Sequence, residues 1–429
     1  MVEVVEALDL SALVQAYSGR GSPPYHPAMM LSLLIYGYAT GGDSSRQIEL
    51  ATFDSVAFRF VTCHQPPDHD SLATFRRRFR AEFEAVFVQV LEVARAHQLS
   101  RFGRVSLDGT KPVLSEAEGI HANASRHSAL SDGHAATIEA PLKAEVQDLL
   151  ALAEQTDGRN VPEGMSIPEE LQRRDARLAA IAEAKRQIEA RAAERYAREQ
   201  ASYEAKLAAR AAKAAARGRK PGGKAPKAPA PEPRAEDQIN LTDAESRILH
   251  VAGGGFEPCD NAHAGVETES MPIPVAQATQ AANDKEQVAP MVERLQALPE
   301  GLNQPEECVA DHGDFSERNV AVCENAGIVP LIAMKREEHH THGSARFSEP
   351  DEAPPPEATP VARLAHRLKT RAGRAASALR KQTVEPVFGI IKSVMGFRQF
   401  LTRGLQNVQG EWTLVCLAWN LKRMAVLRP

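Results

Sequence analysis

Arg104-Val-Ser-Leu-Asp108-Gly-Thr110 is the stretch on which the fold turns. At Gly103 a helical texture gives way to a short alternating strand that ends in an acid and a glycine turn. The same pattern returns at Cys308-Val-Ala-Asp311, with Gly313 two residues later. Between and around these runs lie two further strand candidates, Ala262 to Thr268 and Ile273 to Thr279. A helix starting at Asp284 carries Val288, Met291, Val292, Leu295 and Leu298 on one face. After the second acid come a helix from Ser316 to Asn325, capped by Gly327, and a strand from Ile328 to Ala333. Strand, strand, strand, helix, strand, helix, strand is the order of an α/β layer.

Upstream, residues 1 to about 100 read as helical. The apolar run Met29 to Tyr36 ends at Thr40-Gly-Gly-Asp43, and Ser44-Ser45 offers an N-cap with Glu49 in the following turns. Asp70-Ser71 caps an amphipathic helix in which Leu72, Phe75, Phe79, Phe83 and Phe87 recur at three and four residues, with arginines on the other face. Short helices, tight turns and a basic final helix suit a helix-turn-helix module, and an ordinary helical bundle shares the pattern. Between the two acidic strands, Pro168 to Ala216 reads as a long exposed helix or coiled-coil hairpin. Arg217 to Pro233 is Gly- and Pro-rich and reads as disordered. A second Pro-rich, acidic linker runs from Glu349 to Pro360.

Beyond it, Val384, Val387, Phe388, Ile391, Val394 and Met395 form a helical stripe with Glu385 and Lys392 beside it. Pro386 cannot donate a backbone hydrogen bond, so the helix should kink there or begin there. Glu411 to Leu427, with Trp412, Leu414, Leu417, Leu421 and Met424, is a strongly apolar helix whose tryptophans belong in a core.

The net charge of -5 is that of an ordinary protein, but the charge is segregated. Val361 to Pro429 holds thirteen Lys and Arg against two Glu, Glu204 to Arg234 holds nine against two, and Arg76, Arg77, Arg78 and Arg80 form a third island. Local positive charge of this kind is what phosphate neutralisation needs, although each run could also be a solvated face. No apolar run approaches the roughly 18 residues of a membrane span. The acidic start MVEVVEALDLSALVQAY resembles no secretory signal, so a cytoplasmic chain without a membrane partner is expected. Five cysteines, odd in number and without a CxxC pair, argue against a disulfide framework or structural zinc and read as buried thiols. His339, His340 and His342 could suggest zinc but read as an exposed run, and Gly253 to Gly255 reads as a turn.

Three carboxylates stand out by position: Asp108 and Asp311 at strand ends, and Glu385 on a late helix. Hard oxygen ligands converging from separate elements suit Mg²⁺, and a pair of such ions can serve in-line displacement at phosphorus. A strand-end aspartate is also an ordinary turn former, and on the residues alone both readings stand.

Several segments resemble the transposases of bacterial insertion sequences. They are Tyr25-His-Pro-Ala-Met-Met30, Ser44-Ser-Arg-Gln-Ile-Glu49, Asp68-His-Asp-Ser-Leu-Ala-Thr-Phe-Arg76, Leu107-Asp-Gly-Thr-Lys111 and Asn123-Ala-Ser-Arg-His127. Val309-Ala-Asp-His-Gly-Asp-Phe-Ser-Glu317 and Arg380-Lys-Gln-Thr-Val-Glu-Pro-Val-Phe-Gly-Ile-Ile-Lys392 belong with them. So do Gly396-Phe-Arg-Gln-Phe400, Arg403-Gly-Leu405 and Asn420-Leu-Lys-Arg423. The resemblance implies an α/β RNase H-like catalytic domain interrupted by a helical and disordered insertion, preceded by an all-α helix-turn-helix-like domain. It implies a DDE triad of Asp108, Asp311 and Glu385, holding two Mg²⁺ or Mn²⁺ ions. Lys392 would contact DNA near the cleaved phosphate, and Arg398, Arg403, Arg423, Arg46 and Arg76 would bind the duplex.

The expected organisation is a DNA-binding domain over 1–100, a first catalytic strand region over 101–130 and an insertion over 131–238. The α/β domain continues over 239–345, a linker and basic segment follows over 346–376, and the catalytic helices occupy 377–429. The expected activity is endonucleolytic cleavage at element ends followed by strand transfer, on terminal inverted repeats and target DNA, by a homodimer or larger assembly at the bacterial nucleoid. An inactive copy that only binds DNA is the alternative. Pro112 to Gly119, directly after the first catalytic strand, departs from the family pattern, as do His312 and Phe315.

Overall fold

The computed structural model describes residues 1–16, 25–109, 120–155, 165–218, 222–251, 255–281, 284–334, 354–355 and 357–428. Pro112 to Gly119, Gly253, Gly254, His339, His340 and His342 lie outside them. The chain forms two compact units, one of Met1–Asn123 with Leu249–Pro429 and one of Ala124–Ile248.

The first unit opens with helices α1 (Val2–Glu6), α2 (Ser11–Gln15), α3 (Pro27–Thr40), α4 (Ser45–Asp54), α5 (Val56–Val61), α6 (His69–Arg78) and α7 (Glu82–Ala96). Local chemistry sets their ends. Pro27 occupies the first turn of α3, which closes at Gly41 in the left-handed region. Ser44 and Gln47 make a reciprocal capping box on α4. Asp68, not Asp70, caps α6 by accepting from the Ser71 N–H at 2.8 Å. The phenylalanine-rich segment is two helices instead of one, because the chain leaves helical geometry at Phe79; Leu72, Phe75, Phe79, Phe83 and Phe87 nevertheless all reach the core.

The sheet follows. Strands β1 (Arg104–Gly109) and β2 (Ile120–His121) precede the second unit, which holds β3 (Ala129–Ser131), α8 (Asp132–Gln155), α9 (Ile167–Arg217) and β4 (Gln238–Asn240). The chain returns through β5 (Arg247–Val251), β6 (Gly255–Glu267), β7 (Val275–Thr279), α10 (Val288–Gln296), β8 (Glu307–Ala310), α11 (Glu317–Asn325) and β9 (Val329–Ile332). It closes with α12 (Pro360–Lys369), α13 (Arg371–Ala378), α14 (Arg380–Ser393) and α15 (Leu405–Leu427). The strand order is β2-β6-β1-β8-β9, with β7 also on β6. β1 is antiparallel to β6 and parallel to β8, which is parallel to β9.

Alternation along the strands sorts their side chains onto two faces. Val105, Leu107, Cys308 and Ala310 pack with Met291, Val292, Leu295 and Val320 of α10 and α11. On the helix-rich side, Ala262, Ala264 and Val266 share a core with Phe388 and Ile391 of α14, Trp412 of α15 and the N-terminal helices. Trp412 Nε1 donates to the His263 carbonyl at 2.9 Å, so its polar edge is satisfied inside that core. Four cysteines are buried as expected, but Cys63 is exposed. Among the described residues no helix is long and apolar enough to cross a membrane.

In the second unit, α8 and α9 pack together over the β3–β4 ribbon, with Leu142, Ile181, Ile188 and Ile239 at its centre. Proline removes the donors for helix or ladder, but carbonyls of other residues in the described part of the Pro-rich stretch accept side-chain bonds: Arg210 donates to Gly222, Gly223 and Lys224, and Arg195 to Glu232. Arg195 also grips Asp237, and Arg234 pairs with Glu199.

Candidate active site

Asp108 leaves the sheet on the face opposite Val105 and Leu107, and Asp311 follows β8 on the face opposite Cys308 and Ala310. That common face is covered by α13 over β8 and β9 and by α14 over β1 and β6. Glu385, on the second turn of α14, comes from that covering layer.

The structure brings the three carboxylates together on Arg380, a residue to which the sequence alone assigns no role. Its Nη1 lies 3.1 Å from Asp108 Oδ2. Its Nη2 lies 2.9 Å from Glu385 Oε1 and 3.9 Å from Asp311 Oδ1. Arg380 and Asp108 are mostly buried, at 16% and 14% side-chain exposure, whereas Asp311 and Glu385 open to solvent at 36% and 46%. Backbone contacts fix the aspartates: Gly109 N–H donates to Asp108 Oδ1 at 2.9 Å and His312 N–H to Asp311 Oδ1 at 2.6 Å. Asp314 reaches back to the Asp311 N–H, closing a capping box over a single helical turn.

The glycine after Asp108 is not a turn. It remains paired with His263 in the sheet, and a Cβ there would come within 2.6 Å of the His263 Nδ1. Only glycine leaves room for the buried imidazole at this strand end. The helix carrying Glu385 starts at Arg380 and runs through Pro386. The carbonyl that Pro386 cannot serve belongs to Gln382, which is exposed and so can meet water.

Three carboxylates without thiol or imidazole have the donor chemistry of a hard divalent ion. Among the described residues, however, no three of His, Cys, Asp and Glu stand close enough together to hold a metal ion. A guanidinium, that of Arg380, stands among the three carboxylates.

The residues expected to hold DNA separate into two groups. Arg46, Arg398 and Arg403 are exposed, and backbone carbonyls steady two of them: Arg398 Nε donates to Lys392 at 3.2 Å and Arg403 Nε to Asn123 at 2.9 Å. Arg423 is half-buried and donates to the Ser270 carbonyl. Lys392 is buried with its Nζ 6.0 Å above the Phe388 ring. Arg76 does not fit the expectation. Its guanidinium is buried against Tyr38 Oη at 2.8 Å, the Asp43 carbonyl at 3.3 Å and Glu411 Oε1 at 3.4 Å, which leaves it structural.

Glu411 is the centre of that network and also accepts from the Leu401 and Thr402 N–H groups and the Thr402 hydroxyl. Burial works against the Arg76 charge, but Tyr38 and Glu411 hold it on, while burial and Glu411 push the Tyr38 hydroxyl pKa up. Burial likewise raises Asp43 above the usual carboxylate range.

A family model described as a transposase DDE domain matches residues 356–425, and one described as a transposase domain (DUF772) matches residues 1–78. The first span contains Arg380 and Glu385; Asp108 and Asp311 lie outside both. No curated protein and no solved structure matches the chain.

Proposed function

Matches at both ends support a DDE transposase of insertion-sequence type, and on that premise we propose that the chain cuts DNA at the ends of its element and joins the freed ends to target DNA. The observation that carries this reading is the convergence of Asp108 from β1, Asp311 from just past the neighbouring β8, and Glu385 from the helix above them, on one cation. The mixed sheet with a helix delivering the third acid supports an RNase H-like catalytic domain.

Asp108, Asp311 and Glu385 would hold Mg²⁺ or Mn²⁺, which when bound supplies Lewis-acid polarisation of a phosphoryl oxygen and an activated attacking oxygen. The protein's own contribution is placement. The sheet fixes Asp108, the capping box fixes Asp311, and α14 sets Glu385 opposite them. In the first step a water oxygen attacks phosphorus and the bond to the 3′ oxygen breaks, leaving a 3′ hydroxyl and a 5′ phosphate. In the second that hydroxyl attacks a target phosphodiester and displaces its 3′ oxygen, so the number of phosphodiester bonds is unchanged. Positioning and fixed charge dominate the barrier in such displacements.

Arg46, Arg398 and Arg403 would grip phosphates, which orients the duplex without reading its sequence. End recognition would fall to the N-terminal helices, in a homodimer or larger assembly on paired ends at the bacterial nucleoid. The test is nicking of a labelled duplex carrying the flanking element end, with Mg²⁺ or Mn²⁺, by the natural chain and by Asp311→Ala. Metal-dependent nicking that disappears in the variant is expected. Binding without nicking by the natural chain would contradict the reading and leave a DNA-binding copy.

A further inference from the structure

Arg380 is the residue at this site that the cleavage chemistry does not require. It is permanently charged, mostly buried, and shared among all three acids. We propose that Arg380 is a resident counter-cation of the triad, which a DNA phosphate draws away, so that DNA binding and divalent-metal binding at these carboxylates are positively coupled. This rests on the reading of the triad as the metal-holding site.

Guanidinium and metal compete for the same oxygens. Asp108 Oδ2 and Glu385 Oε1 are the atoms nearest the guanidinium, at 3.1 and 2.9 Å, and a divalent ion would need those carboxylates directly. Two cations cannot share the position without repulsion in a partly buried site. Arg380 is the first residue of α14, so its long side chain can reorient while the helix that carries Glu385 stays in place.

The group best able to take it is a phosphate, which a guanidinium binds in the same forked geometry it uses on carboxylates. The exposed Lys381 next to it and the solvent-open Glu385 mark the side from which a strand would enter. By linkage, DNA tightens metal binding by the same factor as metal tightens DNA binding.

The experiment is calorimetric titration of the full chain with Mn²⁺ alone, and again with a saturating duplex. It compares the natural protein with Arg380→Gln, Arg380→Lys and Asp108→Asn. Without DNA, Arg380→Gln should bind Mn²⁺ about tenfold tighter than the natural chain, within the usual range of coupling energies. Adding duplex should tighten the natural chain by a similar factor and leave Arg380→Gln nearly unchanged. Arg380→Lys keeps the charge and should stay near the natural affinity.

Equal or weaker Mn²⁺ binding by Arg380→Gln, with Asp108→Asn abolishing it in the natural background, would overturn the counter-cation and leave the metal-binding triad intact. Mn²⁺ binding insensitive to Asp108→Asn would overturn both. Should Arg380→Gln fail to fold, the natural chain decides: Mn²⁺ affinity unaffected by saturating duplex overturns the coupling.

Discussion

Asp108, near the end of β1, and Asp311, the residue after β8, lie at the same end of two neighbouring parallel strands. The register sets Arg104 beside Glu307, Val105 beside Cys308 and Ser106 beside Val309, and each acid lies two residues beyond the last of these pairs. Alternation puts both on the face covered by α13 and α14, away from Val105 and Leu107. Pairing geometry thus delivers two carboxylates to one place before any specific contact is made, and Arg380 sits where their charges converge.

The close approach of β6 beside this pair is testable. Gly109→Ala would drive a Cβ into the ring of His263, which is buried. The substitution should cost about 1–3 kcal/mol, the usual range for overpacking a core. Urea unfolding monitored by tryptophan fluorescence should show a lower midpoint at unchanged slope.

The buried Arg76–Glu411 pair joins helices more than three hundred residues apart in the chain, and Tyr38 hydrogen-bonds to both. Removing one charge leaves the other stranded without water. Arg76→Ala and Glu411→Ala should each destabilise by about 3–5 kcal/mol. In a double-mutant cycle the pair should lose clearly less than the sum of the singles. Duplex affinity per folded molecule should not change in Arg76→Ala, unlike the exposed arginines.

Arg398→Ala and Arg403→Ala should instead leave stability nearly untouched and weaken binding about equally on element-end and unrelated duplexes. The slope of log affinity against log salt should fall by about one for each arginine–phosphate pairing removed. Filter binding over a salt series on both duplexes measures this.

The second unit carries an acid-sensitive pair of carboxylates. Hydrogen bonds from Lys143 and Lys185 hold Glu139 down at about 2, and Arg195 and Arg234 keep Asp237 below its ordinary range against the opposing effect of burial. A carboxylate whose folded pKa is depressed stabilises fully above its unfolded value and loses that contribution as pH falls toward the folded one. The advantage of the natural chain over Glu139→Gln should therefore be present at about pH 6 and shrink between about pH 4.5 and 2. Peptide-resolved hydrogen exchange across α8 and α9 in the full chain checks it.

Much of this arrangement is legible in the sequence because it is local. Asp108 and Asp311 lie at the ends of short alternating strands, and β7, α10, β8, α11 and β9 follow from apolar periodicity and turn residues, whereas β5 and the first half of β6, which begins at Gly255, do not. What stays hidden depends on partners distant in the chain. Arg76 reads as one of a run of surface arginines, and only Glu411, on the last helix, makes it a core residue. Arg380 reads as one more cation of the basic closing region, since nothing in its neighbourhood announces Asp108, 272 residues earlier. Gly109 reads as a turn because the imidazole that requires it lies on another strand. The break at Phe79 is masked by a phenylalanine spacing that satisfies one helix or two equally well.

Whether the three carboxylates form one catalytic site is tested most directly by the single-turnover nicking rate on an element-end duplex for Asp108→Asn, Asp311→Asn, Glu385→Gln and the triple variant, each at saturating Mn²⁺. If they work as one site, each single substitution should lower the rate about as far as all three together, because groups that act as a unit are not additive. A single variant that keeps the natural rate, or rate reductions that multiply toward the triple, would contradict it.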